Sequence, residues 1–231
     1  MKTLLITGTD TNVGKTYVTC LLLKQLREAG ILVGAYKPVC SGAEASESGP
    51  RWNDVDELQA ALGGQHEVDL ICPQRFSAAV APNVAAGMEG KTVDDRLLRM
   101  GAEAWRNKCD VLIVEGAGGL SCPLSNSSTV LDLAVALKAP LLIVAANRLG
   151  VINHSLLTVA AARQRGLSIA GVVLNESANC PPGDQSARDT NSNQLRHWLP
   201  GIPLFIGDSG GQTLKRDGNA VLSSTATDFF E

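Results

Sequence analysis

Short apolar runs alternate along this chain with longer amphipathic segments. The apolar runs predict strands at Lys2–Thr7, Leu32–Lys37, Val111–Glu115, Pro140–Ala146, Ile169–Asn175 and Pro203–Ile206. The amphipathic segments predict helices at Gly14–Ala29, Val55–Leu62, Val93–Lys108, Thr129–Leu137, His154–Arg165 and Ser186–Trp198. Several strands are apolar at consecutive positions, as in parallel sheets covered on both faces. This order predicts an α/β fold with a doubly wound, mostly parallel sheet and helices on both faces.

Three segments show this pattern weakly or not at all. Residues 43–53 are rich in Ser, Glu and Gly, and we expect a mobile loop there. Residues 178–193 are similarly polar, and the segment after Gly207 has too little periodicity to predict an element. We find no internal repeat and no linker, and 231 residues suit one α/β domain. We therefore expect a single domain over residues 1–231.

Composition and charge narrow the classes of function. The formal net charge is −3 and no run of Lys or Arg occurs, so we expect no nucleic-acid partner. The N-terminus lacks the pattern of a secretory signal, and no apolar stretch is long enough to span a bilayer. The six cysteines form no C-x-x-C pair, which argues against a zinc site and fits a reducing compartment. We expect a cytoplasmic protein without a membrane partner.

A phosphate-binding loop is indicated between the first strand and the first helix. The sequence GTDTNVGKT occupies residues 8–16, and its glycines let backbone N–H groups turn toward an anion at the helix start. Lys15 offers a positive charge for the β- and γ-phosphates, and the Thr16 hydroxyl is a candidate Mg²⁺ ligand. Five residues, rather than the usual four, separate Gly8 from Gly14. The pattern predicts a nucleotide site that uses Mg²⁺.

Charged side chains follow other predicted elements at the same edge of the sheet. Glu115 ends an apolar strand directly before Gly116–Gly119, and its carboxylate can ligate Mg²⁺ opposite Thr16. Asp54, at the start of a helix, is either a further ligand or a charge that favours helix initiation. Lys37 ends the second strand, where another ammonium group suits phosphoryl transfer to an anionic acceptor.

The segment 149–154 follows the fourth long strand and opens a helix. Free N–H groups at that helix start could hold a carboxylate. A plain strand–helix turn fits the same residues. The residues alone leave both interpretations open.

Four motifs in this order resemble the dethiobiotin synthetase family. They are GTDTNVGKT at 8–16, YKPVCSG at 36–42, EGAGG at 115–119 and LGVINH at 149–154. The extra residue in the phosphate loop is a feature of that family, whereas Asn12 stands where members often carry Glu. The resemblance runs from residue 2 to about 175 and implies a P-loop NTPase fold.

The resemblance also implies an activity, that of an ATP-dependent cyclo-ligase of biotin biosynthesis. Such enzymes convert 7,8-diaminononanoate, CO₂ and MgATP into dethiobiotin, ADP and phosphate. One amine becomes a carbamate, whose oxygen attacks the γ-phosphate, and the second amine captures the resulting carbamic-phosphoric anhydride. The family is homodimeric, with the substrate site at the subunit interface. It uses Mg²⁺, with ATP as a co-substrate, and no organic cofactor.

Carried over by position, the resemblance implies several sets of site residues. The catalytic set is Lys37, Lys15, Thr11 and Ser41. The nucleotide set is Asn12, Val13, Gly14, Lys15, Thr16, Tyr17, Asp54, Glu115, Gly116, Ala117, Gly118 and, at the adenine-reading position, Asn175. The metal set is Thr16, Asp54 and Glu115. The substrate set is Thr11, Asn12, Lys37, Ser41, Gly118, Leu149, Gly150, Val151, Ile152 and Asn153. Residues 207–211 loosely match the family's base-contacting loop.

A switch ATPase of the partitioning type, which binds a protein partner, is the main alternative. Those proteins carry an additional Lys early in the phosphate loop, where this chain has Thr or Asp. A GTPase would need Asn-Lys-x-Asp, and the sequence NRLG at 147–150 differs at the second and fourth positions. An amidating synthetase acting on corrin carboxylates would usually bring a glutaminase domain. A non-catalytic binding module would have little use for Lys37 beside two acidic metal candidates.

Overall fold

An eight-stranded sheet forms the centre of the structure, a computed structural model that describes residues 1–47, 49–176, 185–207, 214–216, 220–221 and 229. The strands are β1 (Lys2–Gly8), β2 (Val33–Tyr36), β3 (Cys40–Ser41), β4 (Glu44–Ser46), β5 (Gly49–Arg51), β6 (Arg75–Phe76), β7 (Val111–Gly119), β8 (Leu141–Ala146), β9 (Ile169–Asn175), β10 (Leu204–Gly207), β11 (Leu214–Arg216) and β12 (Ala220–Val221). The sheet order is β12-β11-β10-β9-β8-β1-β7-β2, parallel from β2 to β10 and antiparallel at β11 and β12.

Helices pack against this sheet. They are α1 (Lys15–Glu28), α2 (Asn53–Ala61), α3 (Val68–Ile71), α4 (Pro82–Met88), α5 (Asp95–Met100), α6 (Val130–Leu137), α7 (Val151–Gln164) and α8 (Gln185–Trp198), with a 3-10 helix at Gly101–Trp105. Helix α1 contacts β1, β2 and β7, whereas α7 contacts β8 and β9. The predicted fold class is therefore confirmed. None of the described helices has the length and apolar character that crossing a bilayer would require.

The register of the parallel strands brings charged residues together. Ile6 on β1 is paired with Glu115 on β7, and Tyr36 on β2 is paired with Val114. Lys37 follows Tyr36 directly, so it leaves β2 at the level of Glu115. The carboxyl edge of a parallel sheet is where ligands of such folds bind.

The core lies on both sides of the central strands. The apolar residues of β1, β7 and β8 are almost completely buried. Trp105 is among the largest fully buried side chains, and it packs against β2 where Gly34 has no side chain. A Cβ atom at Gly34 would lie 2.4 Å from a ring carbon of Trp105, so this packing requires glycine.

The predicted helix Val93–Lys108 is wrong in its extent. The chain instead forms α5 and then tightens into the 3-10 helix from Gly101. The Tyr36 hydroxyl donates to the Leu97 carbonyl at 2.7 Å, and a Cβ atom at Gly101 would lie 2.1 Å from that hydroxyl. The close approach of Tyr36, a contact between distant parts of the sequence, accompanies this change in the helix.

The expected loop at residues 43–53 is also wrong, because strands β4 and β5 pair there as a hairpin that leads into α2.

Helix α7 starts at Val151, three residues before its predicted start at His154, with Gly150 at φ 94° as its N-cap. In the polar segment 178–193, residues from Gln185 onward belong to α8, and residues 178–184 lie outside the described part. Residues 208–211 of the loosely matched base loop also lie outside it. The single-domain organisation stays a prediction.

Candidate active site

A cavity of about 840 Å³ at the carboxyl edge of the sheet collects most of the predicted site residues. The predicted residues that line it are Thr11, Asn12, Gly14, Lys15, Thr16, Tyr17, Lys37, Ser41, Asp54, Ala117 and Gly118. Others are buried and do not line it, namely Val13, Glu115, Gly116 and Asn175. Its volume falls within the range of small-molecule sites, which is about 300–1,000 Å³.

The phosphate loop turns through two residues with positive φ. Asn12 has φ 56°, a conformation that Asn adopts more readily than most residues, and Gly14 has φ 89°. A Cβ atom at Gly14 would lie 2.0 Å from the side-chain nitrogen of Asn175, so glycine is required there. The Lys15 ammonium reaches back to the Asp10 carbonyl at 3.4 Å. Helix α1 begins at Lys15, which directs its N-terminal N–H groups toward the loop.

Glu115 is the centre of the charged network beside this loop. Its side chain is 1% exposed, and its Oε1 accepts from Lys37 Nζ at 2.5 Å and from Thr16 Oγ1 at 2.9 Å. Its Oε2 accepts from Thr19 Oγ1 at 2.7 Å. The same Lys37 ammonium lies 2.8 Å from Asp54 Oδ2. Three residues predicted from different motifs, Lys37, Glu115 and Asp54, therefore form one ion-paired group.

This arrangement shifts the pKa values of the charged groups in different directions. Burial opposes the charge on Lys37, but the carboxylates of Glu115 and Asp54 outweigh it and hold the pKa of Lys37 well above its ordinary value. Burial and repulsion from Lys37 lower the pKa of Lys15. Burial opposes ionisation of Asp54, but attraction to Lys37 and a hydrogen bond from Lys37 lower its pKa. The site is therefore built to keep Lys37 and Asp54 charged.

The residues present fit a Mg²⁺ ion that is shared with a nucleotide. Magnesium is usually held by one or two carboxylates together with phosphate oxygens and water. Asp54, Glu115 and the Thr16 hydroxyl supply that donor set around one group of atoms. Within the described residues, no group of three or more His, Cys, Asp or Glu side chains is arranged to hold a metal by itself. A metal here would depend on the nucleotide for its remaining ligands.

Asn175 presents a buried acceptor close to the phosphate loop. Its Nδ2 donates to the Val13 carbonyl at 3.0 Å, whereas no group in the described part of the chain donates to its Oδ1. A buried oxygen without a donor is unfavourable, and a ligand that donates a hydrogen bond would satisfy it. Gly207 faces this oxygen, and a Cβ atom there would lie 3.1 Å from it.

Two parts of the predicted substrate set, Ser41 and residues 149–153, are not free to contact a substrate in this cavity as the chain stands. The Ser41 hydroxyl donates to the Val80 carbonyl at 2.6 Å, so it must leave that acceptor before it can donate to a ligand. The residues Leu149, Gly150, Val151, Ile152 and Asn153 do not line the cavity of their own chain. Leu149 is 78% exposed, and the helix α7 starts directly after Gly150.

Side chains of this region that the sequence patterns did not reveal include Thr19, Trp52 and Cys122. Thr19 contacts Glu115, and Trp52 forms part of the cavity wall, where its Nε1 donates to the Phe76 carbonyl at 2.9 Å. Cys122 also lines the cavity and packs against the bare face of Gly118. A usable signal existed for Thr19, because it lies four residues after Lys15 and so on the same face of α1.

The fold and the site together define a P-loop NTPase. A family model described as an AAA domain matches residues 2–202. An ATP-dependent dethiobiotin synthetase of Rhodopirellula baltica is 43% identical over 210 residues, which cover 86% of this chain and 80% of that protein. One of Anaeromyxobacter dehalogenans is 44% identical over 206 residues, 89% of each chain. The chain belongs to the ATP-dependent dethiobiotin synthetase family.

A solved structure supports the fold independently. The MinC:MinD cell division complex of Aquifex aeolicus matches with a TM-score of 0.50 and 14% identity, over 89% of this chain and 81% of that chain. At that identity the likeness concerns the fold alone. The family resemblance that four sequence motifs predicted is thus confirmed by the curated relatives.

Proposed function

We propose that this protein closes the cyclic urea of dethiobiotin from 7,8-diaminononanoate and CO₂, with the cleavage of MgATP to ADP and phosphate. The observation that carries the proposal is the pair of buried ammonium groups, Lys15 and Lys37, that line one cavity beside the phosphate loop. The reaction must bring a carbamate against a γ-phosphate, and two anions repel each other. Fixed positive charges in a buried site offset that repulsion. Membership of the family supports the same activity.

The proposed steps are those that the family resemblance implies, and the charges of the site suit them. The carbamate oxygen attacks the γ-phosphorus, the bond to the bridging oxygen of ADP breaks, and a carbamic-phosphoric anhydride forms. The second amine then attacks the carbamate carbon, phosphate leaves with the electron pair of its C–O bond, and the amines release their protons. Lys37 and Lys15 would neutralise the carbamate and the transferred phosphoryl group. Thr11, at the cavity wall, and Ser41, once released from Val80, would donate hydrogen bonds to the same oxygens.

Mg²⁺ would be held by Thr16, Asp54 and Glu115. When bound, it supplies charge neutralisation on the phosphate oxygens. The N–H groups at the start of α1 and the loop residues from Asn12 to Tyr17 would cradle the phosphates. Gly116, Ala117 and Gly118 would let the ligands approach the end of β7.

Asn175 supports ATP as the co-substrate. Its Oδ1 is buried and has no donor in the described part of the chain, and the exocyclic amino group of adenine is a donor. Guanine has a carbonyl oxygen at the corresponding position, and two acceptors facing each other would repel. We therefore infer a preference for ATP over GTP.

The position of the 149–153 segment supports a homodimer. Its residues do not line the cavity of their own chain, so a role in binding the distal carboxylate requires a second subunit. Two exposed apolar side chains, Leu149 and Leu157, lie at the start of α7 and on it. The net charge of −3 and the lack of a Lys or Arg run support an enzyme of small molecules without a nucleic-acid partner, and we propose that it works in the cytoplasm without a membrane partner.

The decisive experiment measures phosphate release from MgATP and bicarbonate with and without 7,8-diaminononanoate. We expect release that depends on the diamine, together with a product whose mass corresponds to the cyclic urea. Release that ignores the diamine would overturn the synthetase activity. It would favour the switch ATPase, whose output is a change of partner rather than a product.

A further inference from the structure

Thr19 is a fully buried polar residue on α1 to which the proposed steps assign no role. Its Oγ1 lies 2.7 Å from Glu115 Oε2 and 2.9 Å from the carbonyl of Lys15, one helical turn earlier. A threonine hydroxyl carries one proton, so it donates to one of these acceptors at a time. The choice between them decides whether Thr19 serves the site or only its own helix.

The carboxylate is the favoured acceptor. A hydrogen bond to an ionised oxygen is about twice as strong as one between neutral groups, and here it is also the shorter of the two. The alternative acceptor is the carbonyl four residues earlier, to which the hydroxyl of a buried helical Thr commonly donates. Thr16 and Lys37 both donate to Oε1, whereas Thr19 reaches Oε2 from the opposite side of the carboxylate.

We propose that Thr19 is a positioning residue for Glu115. The last torsion of a Glu side chain has a broad energy minimum, so contacts must fix the plane of its carboxylate. Thr19 holds Oε2, and Oε1 is thereby turned toward Thr16, Lys37 and the candidate metal site. This inference rests on the proposed role of Glu115 as a Mg²⁺ ligand. Thr19 itself would contact neither the nucleotide nor the metal.

The test measures binding rather than turnover. The dissociation constant of a non-hydrolysable ATP analogue is determined with a chelator and with excess Mg²⁺. The value with chelator divided by the value with Mg²⁺ is the ratio that reports the contribution of the metal. Thr19→Val keeps the shape of the side chain and removes the donor. We expect it to lower this ratio roughly tenfold, the smaller end of effects seen when a group that orients a metal ligand is removed. Thr19→Ser keeps the hydroxyl and should restore the ratio.

Thr7 provides a matched control. It is also a fully buried threonine, and its hydroxyl has no hydrogen-bond partner among the described residues, so Thr7→Val should leave the ratio unchanged. Thr19→Ala is measured against the same criteria if Thr19→Val does not fold.

A second variant separates the two possible failures. In one outcome, Glu115→Ala lowers the ratio strongly while Thr19→Val lowers only the melting temperature and leaves the ratio unchanged. That result overturns the positioning role of Thr19, and the metal role of Glu115 stands. If Glu115→Ala leaves the ratio unchanged, the metal role in the proposed function fails, and the role of Thr19 fails with it.

Discussion

At the scale of single residues, the group around Lys37 shows how a buried lysine can stay charged. Its ammonium lies between Glu115 and Asp54, at 2.5 and 2.8 Å. Removing one member of a buried ion pair is costly because the other charge is left without compensation. The same lysine is therefore expected to affect both the chemistry and the stability of the fold, which makes it a sharp target for substitution.

Lys37→Gln should abolish cyclic-urea formation and leave nucleotide binding largely intact, because Lys15 and the phosphate loop remain. We also expect it to lower the free energy of unfolding by about 3 kcal/mol, the scale of a broken buried pair. Product formation, calorimetric titration with an ATP analogue and urea denaturation give the three quantities. Lys91→Gln, in an exposed pair with Glu89, is the control and should leave the free energy of unfolding almost unchanged. Wild-type turnover in Lys37→Gln would exclude Lys37 from the mechanism.

At the scale of elements, two reciprocal hydrogen bonds fix the N-terminus of helix α6. The Thr129 hydroxyl caps the backbone N–H of Asp132, and the Asp132 carboxylate accepts from the backbone N–H of Thr129 at 2.9 Å. Hydrogen bonds from Thr129 and the charge of Arg165 lower the pKa of Asp132. Such a capping box stabilises the first turn of a helix.

Thr129→Ala should lower the free energy of unfolding by about 1 kcal/mol at neutral pH. The native pKa of Asp132 is below its unfolded value, so its contribution is present above the unfolded pKa of about 3.9 and is lost as the pH falls below it. The difference between wild type and variant should therefore shrink at acid pH. Urea denaturation at several pH values measures it. Thr158→Ala, at an exposed hydroxyl inside α7, should show no such pH dependence.

Most elements that position the site could be predicted because their signals are local. Consecutive apolar residues revealed β1, β7, β8 and β9, and most glycines and charges of the site lie in or just after the last residues of strands. Contacts between distant residues could not be read this way. The 3-10 turn after α5 accompanies the approach of Tyr36, and the bond from Thr19 to Glu115 joins residues 96 positions apart. The spacing of Thr19 from Lys15 places it on the site-facing side of α1, but nothing local indicates that its partner is Glu115.

At the scale of the whole molecule, exposed apolar side chains bear on assembly. Leu157 on α7 is 62% exposed, and Leu149 precedes the same helix. Single exposed apolar residues are common on monomers, so their number alone decides nothing. Their position beside the 149–153 segment, which would need a second subunit to reach a cavity, links them to the proposed homodimer.

Leu157→Arg should shift the protein from dimer to monomer, because a charge placed in an apolar interface must lose its hydration. Sedimentation velocity over a range of concentrations measures the change. Leu32→Arg is a matched control, since Leu32 is 64% exposed and directly precedes β2, outside α7. It should leave the sedimentation unchanged. A wild-type protein that sediments as a monomer at every concentration would contradict the dimer.

The ammonium of Lys37 has a further consequence, since it acts as a built-in counter-ion. The buried Glu115 carboxylate and the half-exposed Asp54 carboxylate both pair with this ammonium, so the buried one is compensated without an imported cation. A chelator should therefore leave the calorimetric melting temperature of the ligand-free protein unchanged, and a large decrease would contradict this. Folding of the polypeptide and binding of Mg²⁺ would then be separate events, and each product release would leave Glu115 still paired with Lys37.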